Sequence, residues 1–215
     1  QLGIRLHDTK KLPFEERIAN VHELGFACGH LAPGKVITEF PTTDEALTPG
    51  LAMYMKNVFA KNQVDVAVLG CYLNLANPNP EQLAKITHRY MAHIRFASWL
   101  GCGVVGTETG APNETYTAVP ECHGEEALQT FITNLRPVVK YAEQMGNVRI
   151  GLGTWQAKSR EVQFGAQCPV CAALSKQPWV MQNIKSWRTY EDMNEPEGED
   201  YLQIIRDISP ERVFD

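Results

Sequence analysis

The stretch Val64-Asp65-Val66-Ala67-Val68-Leu69-Gly70-Cys71 decides how this chain reads. It is a nearly continuous apolar run, the pattern of a parallel strand buried on both faces. Upstream of it, Thr48 is a good N-cap and Pro49 suits a first turn, so the sequence predicts a helix over 49–61. Downstream, a polar segment over 72–80 carries Asn74, Asn77 and Asn79 and leads to a predicted helix over 81–100. A fourth strand is expected over 103–107, ending in Glu108-Thr109-Gly110. A loop with Pro112 and Pro120 follows, then a helix over 124–145 and a fifth strand over 148–152.

The N-terminal part repeats the theme. Residues 2–6 alternate as a first strand and end in His7-Asp8. Phe14, Ile18, Val21 and Leu24 recur at helical spacing, and Gly25 closes that helix. A second strand fits 27–31, and 32–49 reads as a long loop rich in Pro, Thr and Gly. Five strand–helix alternations predict a parallel sheet with helices outside it. At about 30 residues per unit, eight units give the roughly 250 residues of a closed (β/α)8 barrel. At 215 residues the chain is expected to be short of that by at least one unit. A doubly wound open sheet is the alternative, lowered by the absence of a Gly-x-Gly-x-x-Gly fingerprint after strand one.

The composition is that of one globular domain, taken as 1–215, with clear β/α units over 1–152 and a divergent remainder over 153–215. A formal charge of −5 with mixed acids and bases argues against a nucleic-acid partner bound by a broad basic surface. No run approaches the roughly 18 apolar residues of a membrane span, and the first residues lack the form of a signal peptide. A cytoplasmic protein with reduced, buried Cys28, Cys71 and Cys102 is therefore expected. Cys168-Pro169-Val170-Cys171 has the spacing of half a zinc site, but no second pair follows, so neither metal nor redox function is assigned to it. The acidic run over 191–200 reads as a solvated loop.

The segments 67–78, 95–101, 104–110 and 135–146, with the opening Gly3-Ile4-Arg5-Leu6-His7-Asp8, resemble the sugar phosphate isomerase/epimerases of the xylose isomerase-like TIM-barrel superfamily. The resemblance covers about the first 150 residues. It implies an isomerase or epimerase of a sugar or sugar phosphate, and a divalent metal (Mn, Mg, Co or Zn) as Lewis acid for an enediolate. Carboxylates would move the proton next to the carbonyl, at the carboxyl ends of the strands. Homodimers are common among such enzymes. Their strand-five metal ligand is a Glu followed by Pro, and here that slot falls at Gly153-Thr154. All six His lie at or before His123, so metal ligands cannot be assigned. Two explanations stay open: a reading-frame slip near Gly153, since loss of one base from suitable codons reads Gly-Leu-Glu-Pro, or a divergent or truncated relative without its metal. A non-catalytic barrel remnant and an endonuclease IV-like phosphodiesterase are the competing functions.

Candidate catalytic residues are Glu108, a carboxylate at the end of an apolar strand, and His7, after strand one. Asn74, Asn77, Thr107 and Thr109 are candidates for binding substrate hydroxyls. For Asn77, turn chemistry before Pro78 is the competing role.

Overall fold

The computed structural model describes residues 2–153. The readings placed on Cys168 and Cys171, on 191–200 and on a frame slip beyond Gly153 lie outside the described residues. Five strands form one sheet in the order of the chain: β1 (Gly3–Arg5), β2 (Cys28–Leu31), β3 (Asp65–Gly70), β4 (Val104–Glu108) and β5 (Arg149–Gly153). Every neighbouring pair is parallel. A sequential order without a reversal has no switch point, and so removes the doubly wound alternative. It is the order of consecutive staves of a (β/α) barrel, five of them among the described residues.

The helices connect these staves: α1 (Phe14–Glu23), the one-turn α2 (Pro33–Val36), α3 (Pro49–Lys61), α4 (Pro80–Leu100) and α5 (Glu125–Met145). Their ends follow local chemistry. The Thr48 hydroxyl accepts from Leu51 N–H at the start of α3, and Asn79 Oδ1 accepts from Glu81 and Gln82 N–H at the start of α4. α4 closes on Gly101 at φ +88°, a left-handed residue that costs a glycine nothing. Pro13 cannot cap α1 with a side chain. Glu39 does so from the following loop, its carboxylate accepting from Phe14 N–H.

Two local expectations differ from the structure. The stretch 32–49 contains the single turn α2, where Pro33 supplies a preset φ at the first helical position. The apolar run of β3 is buried at Leu69 and Gly70, but Val66, Ala67 and Val68 are only half-buried and Asp65 is exposed. The helices cover one face of the sheet. Among the described residues no further strand closes over the other.

Side chains alternate between those faces. Leu6, Leu31, Leu69 and Val105 turn to the helices and pack with Phe14, Ile18, Met55, Phe59, Ile94 and Phe96 in one core. The buried Tyr90 of α4 adds a polar tie within it. Its hydroxyl donates to Leu73 O at 3.1 Å, accepts from Leu73 N–H at 3.2 Å and lies 2.5 Å from Thr107 Oγ1. The end of β3 and the end of β4 are thereby fixed to the same helix. Among the described residues no helix is long and apolar enough to cross a membrane.

Removing that hydroxyl leaves buried groups at Leu73 and Thr107 without their partner. Tyr90→Phe is expected to lower stability by about 1–3 kcal/mol, read from urea unfolding with an unchanged m-value.

Candidate active site at the carboxyl rim

The inner face is lined by glycine where the strands meet in register. Gly70 pairs with Gly106, and Gly106 with Gly151. These glycines are seats for other side chains. A Cβ at Gly70 would stand 2.5 Å from His30 Nε2 and 2.6 Å from Tyr72 Cε2, and one at Gly106 would stand 2.9 Å from Tyr72 Oη. His30 therefore leans from β2 and Tyr72 from just beyond β3 across the glycine floor. They meet with Tyr72 Oη 3.0 Å from His30 Nε2.

His7 follows β1 and packs edge-on to His30, the ring centroids 5.4 Å apart and the planes at 81°. Arg5 Nε and Nη2 lie 3.2 and 2.9 Å from His7 Nε2. A guanidinium only donates, so Nε2 accepts and the proton of the neutral imidazole sits on Nδ1. That Nδ1 is buried and has no hydrogen-bond partner among the described residues. Arg5 also bridges to Asp8 at 3.0 Å. Burial, and then the Arg5 cation, hold the His7 imidazole below its usual range. Burial, with His7 and Arg5 adding to it, brings His30 down to about 4. Both rings are neutral near pH 7.

Glu108 ends β4 on this same face, two residues beyond Gly106. Tyr116 Oη donates to Glu108 Oε2 at 3.0 Å. Tyr116 holds φ +54°, a left-handed conformation unfavourable for a bulky side chain, and in it the ring reaches the strand end. Burial, and then the Glu108 carboxylate, push the Tyr116 phenol up, so it remains a donor. Burial and Glu108 push the Tyr72 phenol up as well. The rim thus carries one carboxylate on β4, and on the β1 to β3 side two neutral imidazoles and a phenol, with the Arg5–Asp8 ion pair behind His7.

The structure brings Glu108 and His7 to this rim and puts the other expected residues elsewhere. Thr107 is fully buried on the helix face against Tyr90. Asn74 is buried between loops: its Oδ1 accepts from Ala76 and Ala111 N–H, and its Nδ2 donates to Asn113 O. Asn77 Oδ1 accepts from Asn79 N–H while Nδ2 donates to Gln82 Oε1, a turn ahead of α4. Thr109 lines a narrow crevice with Cys122, Leu128 and Phe131. His30, Tyr72 and Tyr116 are the rim residues the sequence reading passed over. The only local signal for two of them was glycine at 70 and 106.

In the register of β4 with β5, Glu108 stands opposite Gly153. The resemblance implies a divalent metal at this end of the barrel. Among the described residues no group of three or more His, Cys, Asp or Glu could hold one. The groups recorded beside Glu108 are the phenols of Tyr116 and Tyr72, and with one carboxylate this described donor set does not fit a metal cage.

A family model described as the xylose isomerase-like TIM barrel matches residues 18–173. The chain belongs to this family. Among solved structures it is similar to a xylose isomerase domain protein from Planctomyces limnophilus, at 16% identity over 73% of this chain and 55% of that one, with a TM-score of 0.52. It is also similar to the D-psicose 3-epimerase of Clostridium cellulolyticum H10 with D-tagatose, at 16% identity over 71% of this chain and 51% of that one, with a TM-score of 0.54. A D-tagatose 3-epimerase-like protein shares 19% identity over 71% of this chain and 52% of that one, with a TM-score of 0.50. The chain spans about half the length of these proteins, and at such identities the likeness is one of fold. No curated protein matches it.

Acid should loosen this family member through its buried imidazoles. His93, with Nδ1 2.9 Å from Arg89 O, is brought by burial to about 4, as is His30. The unfolded chain binds these protons near the ordinary value of 6.5, whereas the folded chain does not until about pH 4. Stability from this source is full above pH 6.5 and falls as the pH drops toward 4. The urea midpoint is expected to fall over that window, and the fall should be shallower in His93→Gln.

Proposed function

We propose that this chain carries the acid–base rim of an isomerase or epimerase acting on a sugar or sugar phosphate, by proton transfer next to a carbonyl through an enediolate. The observation that supports this reading best is Glu108, an oriented carboxylate at the carboxyl end of a barrel strand, with the phenols of Tyr116 and Tyr72 beside it. Glu108 is the base that removes the proton. The Tyr116 hydroxyl fixes its Oε2, leaving the other oxygen to face the substrate. His7, kept neutral by burial and then by Arg5, has an unpartnered Nδ1–H, the donor assigned here to a substrate oxygen where negative charge develops. Such a donor must be neutral yet protonated on the correct nitrogen; burial, aided by Arg5, secures the first and the guanidinium on Nε2 the second. Asn74, Asn77, Thr107 and Thr109, first considered as hydroxyl-binding groups, serve in this reading as braces that hold the rim loops.

With the family resemblance go a divalent metal, which when bound would supply Lewis-acid stabilisation of the enediolate, a homodimer and a cytoplasmic setting. The steps here are assigned to the chain's own groups. A second reading, a non-catalytic remnant, is favoured by Gly153 opposite Glu108.

Solvent deuterium separates the two. Incubated in D2O with D-tagatose, D-psicose and their phosphate esters, the chain is expected to place deuterium on the carbon beside a carbonyl. Glu108→Gln should lower that rate by roughly 10²–10⁴-fold with the fold intact by circular dichroism. No incorporation into any of these sugars favours the remnant.

A further inference from the structure

We infer that Tyr72 is the second proton-transfer group of the site, that His30 positions it, and that the reaction is therefore inversion of a carbon rather than a shift of the carbonyl. This rests on the reading of Glu108 as a base. Tyr72 Oη stands over Gly106, and Glu108 lies two residues further along the same inner face, a rise of roughly 6–7 Å. A carbon held between them meets a carboxylate on one side and a phenol on the other. The Tyr72 seat is built by sequence: two register-paired glycines on adjacent strands leave the space that Tyr72 and His30 fill.

The proton inventory agrees with this division. Glu108 takes the proton from the substrate carbon, the C–H bond breaks, and its electron pair moves toward the carbonyl oxygen to give the enediolate. Tyr72 then gives its phenolic proton to the opposite face of that carbon, and the carbonyl re-forms. What remains is a phenolate and a protonated Glu108, which return to their starting states by exchange with solvent. For Tyr72 to direct its proton at the substrate, it must accept a hydrogen bond from His30. The 3.0 Å contact then runs from His30 Nε2–H to Tyr72 Oη, and the same bond holds the phenolate when it forms. Burial, with His7 and Arg5 adding to it, keeps His30 neutral, so that it donates without acting as a stronger acid than Tyr72.

Tyr72→Phe separates the two half-reactions. The variant is expected to keep exchanging the substrate hydrogen with D2O through Glu108, while epimer formation falls at least ~100-fold and KM changes little. His30→Asn should slow epimer formation less than Tyr72→Phe, also with exchange retained. Nitrogen NMR of the wild-type chain at pH 7 is expected to show His30 as the neutral Nε2–H tautomer. Epimer formation by Tyr72→Phe within about threefold of wild type overturns the inference and leaves Glu108 standing. Loss of exchange and epimerisation together assigns Tyr72 a supporting role and also overturns it. A His30 found as the Nδ1–H tautomer or charged overturns it even where the variant does not fold. Wild-type protein that exchanges no substrate hydrogen removes this inference and the parent reading at once.

Discussion

One buried hydroxyl sets the geometry on which the rim depends. Tyr90 reaches from α4 under the sheet and binds Leu73 through both backbone groups and Thr107 through its side chain. Leu73 adjoins Tyr72, and Thr107 adjoins Glu108. Side chains alternate along an extended backbone, so a bond made on the helix face fixes the height of the neighbours on the inner face. The separation of Tyr72 from Glu108 is thus governed by a group neither of them touches. Polar atoms in a core are costly unless satisfied, and here the satisfied bonds are those that hold two strand ends level.

A second constraint is the absence of side chains. Gly70, Gly106 and Gly151 form one row across three strands. A floor without Cβ atoms would weaken a strand if nothing packed on it. Tyr72 and His30 occupy it at Gly70 and Gly106, Val104 fills the space at Gly151, and the contacts a Cβ would make there fall well inside van der Waals distance. Backbone freedom is not the reason for glycine at these strand positions, since none of the three has a positive φ. The reason is volume. The strand ends exchange local rigidity for room to lay two polar rings inside the sheet's concave face.

The parts of this design carried by neighbouring residues were legible in the sequence. The 3.6-residue spacing from Phe14 to Val21, the Thr48 cap and the valine run of β3 each depend on residues a few positions apart, and each appears where it was expected. The β/α alternation, and with it the barrel, follows from them. What the sequence could not show is the phase of a strand. Thr107 and Glu108 are adjacent, both polar and both at the end of an apolar run, yet one belongs to the core and the other to the rim. Asn74 reads as a free amide in a polar segment, but its bonds run to residues 111 and 113, which only the fold brings near. His30 and Tyr72 owe their meeting to the β2–β3 register, which shifts between Gly29 and His30. No pattern within either segment encodes that shift.

The asymmetry of the rim follows from these placements. A carboxylate beside another carboxylate would have one of its protons held strongly, and the two would share the work of acid and base. Glu108 instead faces Gly153 in register and has a phenol on its Oε2. The groups on its far side are imidazoles held neutral by burial and by Arg5, and a phenol held protonated by burial. An arrangement with a carboxylate at one end and neutral rings at the other distinguishes the two faces of whatever lies between them. It favours removal of a proton toward β4 and delivery of one from β3, because the β4 end carries a carboxylate and the β3 end a phenol whose proton burial holds. The direction of chemistry is thereby written into which strand carries which side chain, and the Tyr90 tie is what keeps those strands in step.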